Sequence, residues 1–239
     1  MRAHFKQPSG FSIALRATLI DESAAFPTYS PQSTAFVFRT LMSQRTLTAR
    51  VVSSTPLASG FLKVDRIEFD TDMHGGGQQR VVREVMHRGH AVGVLGYDLR
   101  RDEIVLINEF RPGCLIAGDV PFTDNLVAGA IDGDESPIDA AIREMKEETG
   151  LELLEPIVVH PGAYVSSGGT SEKIALVFGF VDTKDASGVH GNPDEAEDIL
   201  TVVVPAEKFI ECIRRAQITD LKTLVAGYWF IENRDRLRR

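Results

Sequence analysis

Short runs of Val, Ile and Leu alternate with polar turn residues along most of the chain, and the spacing becomes helical at only a few places. The runs at 46–54, 61–69 and 79–86 predict strands, the last two separated by the Gly-rich turn 74–77. Runs 91–97 and 103–110 are apolar almost throughout, as expected of strands covered on both faces, and the polar turn 98–102 predicts a hairpin between them. A helix is predicted over Pro137–Thr149. Strands at 157–164, 174–182 and 199–205 follow, with helices at 206–216 and 220–234. This order of elements predicts an α/β sandwich with a mixed sheet, preceded by a small antiparallel β-domain.

Residues 1–45 have another character. They are rich in Ser, Thr and Phe, carry only Asp21 and Glu22 as acids, and show no sustained period. Scattered Arg and Lys in Ser/Thr-rich sequence would suit a targeting peptide, but the expectation is a disordered extension, with Met42 a conceivable start. The expected organisation is therefore an extension at 1–45, a small β-domain at 46–88 and a larger domain at 89–239.

Composition narrows the partners. With 43% hydrophobic and 25% charged residues the chain is ordinary for a globular protein, and it has no apolar run long enough for a transmembrane helix. A net charge of −8 argues against nucleic acid. An acidic protein still binds phosphate when metal ions bridge the two. Cys114 and Cys212 lie far apart with no zinc-like company, which favours a reducing, cytoplasmic setting.

The helix at Pro137–Thr149 carries the candidate chemistry. Ser136 is a good N-cap, Pro137 suits the first helical position, Asp139 would complete a capping box, and Gly150 supplies a left-handed stop. Ile138, Ala141, Ile142 and Met145 fall on one face, the expected buried stripe. Glu144, Glu147 and Glu148 fall on another, where they repel one another. Two of them sit in the last turn, where the helix dipole favours cations. A divalent cation would remove that conflict.

The stretch Gly129–Leu151, GAIDGDESPIDAAIREMKEETGL, matches the Nudix box at its specified positions: Gly129, Glu135, then Arg143-Glu144-Met145-x-Glu147-Glu148-x-Gly150-Leu151. The chain thus resembles the Nudix hydrolases. The resemblance implies a Nudix α/β/α sandwich and Mg²⁺-dependent hydrolysis of a nucleoside diphosphate linked to another group, with Mn²⁺ as a possible substitute. It further implies that Glu144 and Glu148 are the principal metal ligands, that Glu147 lies close by, and that Arg143 orients the glutamates.

Outside the box the chain looks like the ADP-ribose pyrophosphatase branch. The carriers are Val82-Arg83-Glu84, Arg88-Gly89-His90-Ala91, Asn108-Glu109-Phe110-Arg111-Pro112, Val127-Ala128-Gly129, Ser167-Gly168-Gly169-Thr170-Ser171-Glu172, Asp194-Glu195-Ala196-Glu197-Asp198 and Asp220-Leu221-Lys222-Thr223. By this resemblance Arg111 and Arg83 contact the substrate, the Ala128 carbonyl and Glu197 join the metal ligands, and Glu195 is the candidate general base. It also implies a homodimer whose N-terminal β-domains complete each other's pockets. The chain departs from the branch at Asn125, usually Glu, and at Ser167, usually Pro. A GDP-mannose or other nucleotide-sugar pyrophosphatase, and a non-catalytic Nudix sensor module, stay open as alternatives.

Overall fold

A computed structural model describes residues 46–193 and 196–238. The expected extension at 1–45 and the candidate base Glu195 lie outside the described residues.

The first three strands, β1 (Ala49–Ser59), β2 (Lys63–Asp72) and β3 (Gln78–His87), form an antiparallel three-stranded sheet. β1 is longer than its predicted run and starts later; it contains Pro56 and two register irregularities, so its apolar pattern is broken while its pairing to β2 continues. It is exposed along its whole length. Arg80 and Arg50 bind Asp70, a charge ladder on a wet face.

The larger sheet is mixed. Its order is β10-β11-β5-β4-β9-β8, from strands β4 (Ala91–Asp98), β5 (Glu103–Phe110), β8 (Leu154–Tyr164), β9 (Lys173–Phe180), β10 (Val189–His190) and β11 (Ile199–Pro205). β4 and β9 are parallel, and every residue of β4 is buried, which explains its continuous apolar run. Helix α2 (Pro137–Thr149) packs on one face, with Ala140, Ala141 and Met145 against Val92, Val94, Val105 and Ile107. Helices α3 (Ala206–Arg214) and α4 (Leu221–Leu237) pack on the other, with Phe209, Ile213 and Phe230 against Leu95, Tyr97, Ile104 and Leu106. The α/β/α sandwich is therefore as expected. Among the described residues no helix is long and apolar enough to cross a membrane.

Four elements escaped the sequence pattern: the two-residue β10, helix α1 (Pro112–Ala117) and strands β6 (Phe122–Asn125) and β7 (Val127–Ala130). The last three shape the site. β4 and β5 pair only near their hairpin, at Gly96–Asp98 with Glu103–Val105. Beyond it they part, and the chain between them fills the gap: β6 pairs with β5, β7 with β4, and buried Leu126 joins the two.

Candidate active site

α2 begins and ends where its caps stand. Ser136 Oγ accepts from the Asp139 N–H at 3.1 Å, and Gly150 takes a left-handed φ of 72°. The reciprocal half of the capping box differs from expectation: the Ser136 hydroxyl donates to the Asp139 carboxylate at 2.7 Å. The buried stripe also differs. Ile142 is exposed, whereas Ala140, Glu144 and Glu148 are buried with Ala141 and Met145. The helix is turned so that two of its glutamates face the sheet.

They face β7. Glu148 Oε2 accepts the Ala128 N–H at 3.0 Å. The Glu144 carboxylate lies against Gly129 so closely that a Cβ there would stand 1.8 Å from Oε1. Only glycine leaves that cradle open, which gives the first residue of the box its physical reason. Arg143 ties the group together: its guanidinium donates to Glu135 at 3.1 and 2.9 Å, to Glu144 at 2.7 Å, to exposed Glu147 at 3.2 Å and to the Ala130 carbonyl at 2.9 Å.

Glu148 has no such compensation. Burial, with Glu144, Glu109 and Glu197 adding repulsion and one backbone N–H opposing them, pushes its carboxyl up to about 9. Burial also raises Glu144, against the pull of Arg143. Glu197 reaches this group from the loop after β10, where its carboxylate accepts the Asn192 N–H at 3.0 Å. Among the described residues no three acidic or metal-binding side chains already converge on one point. What the site offers is hard oxygen donors around a buried carboxyl with few donors of its own, the kind a hard divalent cation takes up in exchange for the proton.

Glu109 was given no role from the sequence. It follows Val105 and Ile107 on the α2 face of β5, and its charge acts on Glu148. Burial raises its carboxyl, Arg111 and Lys222 oppose that, and Glu197 and Asp220 add to it. No local signal marks it; only the register of β5 places it there. Its guanidinium partner is Arg111, at the N-terminus of α1. Asn125 sits opposite Ile107 on the same face, fully enclosed. Its amide nitrogen donates to Thr123, and its Oδ1 has no partner among the described residues.

The 220–223 motif serves the same segment from below. Asp220 caps α4 and accepts the Thr223 hydroxyl at 2.6 Å, and Thr223 Oγ1 accepts the Leu126 N–H at 2.9 Å. This chain fixes the backbone just before Ala128. Arg83 is not brought to the box: it is exposed on β3, and its guanidinium donates to the Val82 carbonyl at 2.7 Å. The end of β3 does reach the 166–171 loop, where Met86 exchanges backbone bonds with Gly169 and Ser171 at 2.8 and 3.1 Å. An open cleft of about 520 Å³ lies there, lined by Val85, Tyr164, Ser167, Thr170 and Ser171.

The NUDIX domain, as a family model, matches residues 87–221, more than half of the chain. The chain belongs to the Nudix family. Among relatives of this Nudix hydrolase, the ADP-ribose pyrophosphatase of Escherichia coli K12 is 35% identical over 182 residues, covering 75% of this chain and 86% of the relative. The ADP-ribose pyrophosphatase of Haemophilus influenzae is 31% identical over 193 residues, covering 79% and 88%. A GDP-mannose pyrophosphatase of Escherichia coli is 29% identical over 179 residues, covering 73% and 91%. A crystal structure of an ADP compounds hydrolase shares the fold with a TM-score of 0.59 at 19% identity, over 80% of this chain and 97% of that one.

Proposed function

We propose that this Nudix hydrolase cleaves the pyrophosphate of ADP-ribose to AMP and ribose 5-phosphate with Mg²⁺, which Mn²⁺ can replace. The observation that carries the reading is the buried, uncompensated Glu148 beside Glu144 in the Gly129 cradle. In this reading Glu144, Glu148, Glu197 and the Ala128 carbonyl hold the metal, and Arg143 keeps Glu144 and Glu147 turned toward it. Bound there, the cation neutralises pyrophosphate charge and lowers the pKa of a coordinated water. Arg111 binds the phosphate oxygens, and Arg83, which the fold of one chain does not bring there, is a second contact only across the dimer inferred below.

A water oxygen attacks one phosphorus, the bridging P–O bond breaks, and the water proton passes to Glu195, with AMP and ribose 5-phosphate as products. Replacing Glu195 by Gln is expected to cut turnover by about 10²–10⁴-fold with Mg²⁺ affinity unchanged; an unchanged rate would remove it as the base. The choice of ADP-ribose over GDP-mannose is supported by the higher identity to the ADP-ribose enzymes. The cleft between β3 and the 166–171 loop gives room for the remainder of the substrate.

We also infer a homodimer in the cytoplasm. The fully exposed β1 supports the dimer, since a three-stranded sheet with an uncovered strand is marginal alone. A panel of ADP-ribose, GDP-mannose, UDP-glucose, NADH and diadenosine polyphosphates with Mg²⁺, products identified, tests the function. AMP and ribose 5-phosphate from ADP-ribose at the highest kcat/KM is the expected result. Faster cleavage of GDP-mannose overturns the substrate, and no cleavage of any member overturns the activity.

A further inference from the structure

Arg111 does not stand free in the site. Its Nη2 is enclosed and in ion-pair contact with Glu109 Oε1, while the side chain as a whole remains about a third exposed (31%). No acceptor lies along an N–H direction of Nη2 among the described residues, so the grip is charge against charge. Both side chains leave the same face of the β5 extension, because residues 109 and 111 are two apart in extended backbone. Arg111 is further anchored by its own N–H, which donates to the Pro121 carbonyl at 2.7 Å. The guanidinium is thus fixed at one end, and its other edge is left for an acceptor from outside.

Glu109 is itself an unusual residue to keep there. It lies among acidic neighbours whose repulsion it adds to, Glu148 and Glu197 above all. A carboxylate that only crowded the site would oppose both the acids and an incoming polyphosphate. Its contact with Arg111 gives it a different task.

We propose that Glu109 is a positioning residue for phosphate recognition: by holding the Nη2 end of Arg111 it presents the remaining edge of the fork to the pyrophosphate. This rests on the assignment of Arg111 as a phosphate contact. A planar guanidinium held in place loses less conformational entropy when it binds an oxyanion, and its two-point geometry is set before the ligand arrives. The carboxylate acts through its charge and its reach together.

Reach and charge separate in two substitutions. Glu109→Gln keeps the length and an acceptor but loses the charge; Glu109→Asp keeps the charge but withdraws the carboxylate by one methylene. The probe is inorganic pyrophosphate with Mg²⁺, followed by calorimetry on the full chain, with Mg²⁺ alone titrated beside it. Glu109→Asp is expected to weaken pyrophosphate binding by about tenfold, the size of one well-made charge-assisted contact. Glu109→Gln, which removes the charge of the ion pair, should weaken binding by at least as much. Mg²⁺ affinity of Glu109→Asp should be unchanged, and in an Arg111→Ala background the Asp substitution should have no further effect.

Where ADP-ribose is the substrate, the same variant raises KM about tenfold with kcat less affected. Three results overturn the proposal: either substitution silent in pyrophosphate binding, loss of Mg²⁺ affinity in Glu109→Asp, or an undiminished loss without Arg111. The pyrophosphate titration does not depend on the substrate. Absence of ADP-ribose turnover with the Arg111 coupling intact would refute the proposed function alone.

Discussion

The two ends of β4 each hold a buried acid, and the molecule treats them in opposite ways. At the hairpin end Asp98 accepts the N–H groups of Arg100, Arg101 and Thr183, the Thr183 hydroxyl and the Arg101 guanidinium, all at 2.7–3.0 Å. Those bonds outweigh burial and hold its carboxyl far below the usual range. At the other end, across β7, Glu148 is likewise closed to solvent but lies deeper, with one backbone N–H and three acidic neighbours, and its carboxyl rises to about 9. Both are closed to solvent, so exposure alone does not decide what an acid does. The number of donors facing it does. An acid given every donor stabilises the fold, and an acid denied them stays available to an added cation.

The largest way to break this comparison is to neutralise each end. Glu148→Gln and Glu144→Gln should lower hydrolysis by about 10³-fold or more, the scale of losing one catalytic metal contact. The metal-free Glu148→Gln protein should melt no lower than the parent, because a buried carboxyl that folding forces to hold a proton has been removed. A fall in melting temperature matching that of a core substitution would put Glu148 with Asp98 as a structural acid. Gly129→Ala comes next: its methyl must displace the Glu144 carboxylate. Activity should fall by about 10²-fold and stability by about 1–3 kcal/mol, as for an overpacked site.

Asp98→Ala should do the reverse of Glu148→Gln. It strands three backbone donors and Arg101, at a cost of about 3 kcal/mol by denaturant unfolding, with specific activity of the folded fraction unchanged. The pH response sharpens the contrast at smaller amplitude. Asp98 is depressed, so its contribution is present above the ordinary carboxylate value of 3.8 and is lost as pH falls through its folded value. Glu148 is raised, so its contribution is present below its ordinary value of 4.5 and is lost as pH rises through about 9. Metal-free stability should therefore decline from pH 5 toward 9, and Glu148→Gln should flatten that decline. An unaltered slope in the variant would assign the decline to other groups.

Much of this was readable from residues. α2 runs over the predicted span because Ser136 and Gly150 mark its ends by local chemistry. β4, β5 and β11 follow from runs dominated by Val, Ile and Leu. The face of α2 was misjudged because the sequence rule places Ile inside and Glu outside, whereas the buried side here includes Glu144 and Glu148 and leaves Ile142 in water. β6 and β7 have four residues each, too few to show a period, and their place is set by the parting of β4 from β5. Glu109 and Asn125 acquire their surroundings from that same parting, which no local pattern encodes. Arg83, matched by motif, is not joined to the box by the fold of one chain.

The central claim is that α2 withholds donors from Glu148 so that a divalent cation can supply the missing charge. Titrating Mg²⁺ into the full chain at several pH values, while counting protons released, tests it directly. Binding should release protons near pH 7, tighten as pH rises toward about 9, and lose both features in Glu148→Gln. Mg²⁺ uptake that releases no protons, or that persists unchanged in Glu148→Gln, would contradict it.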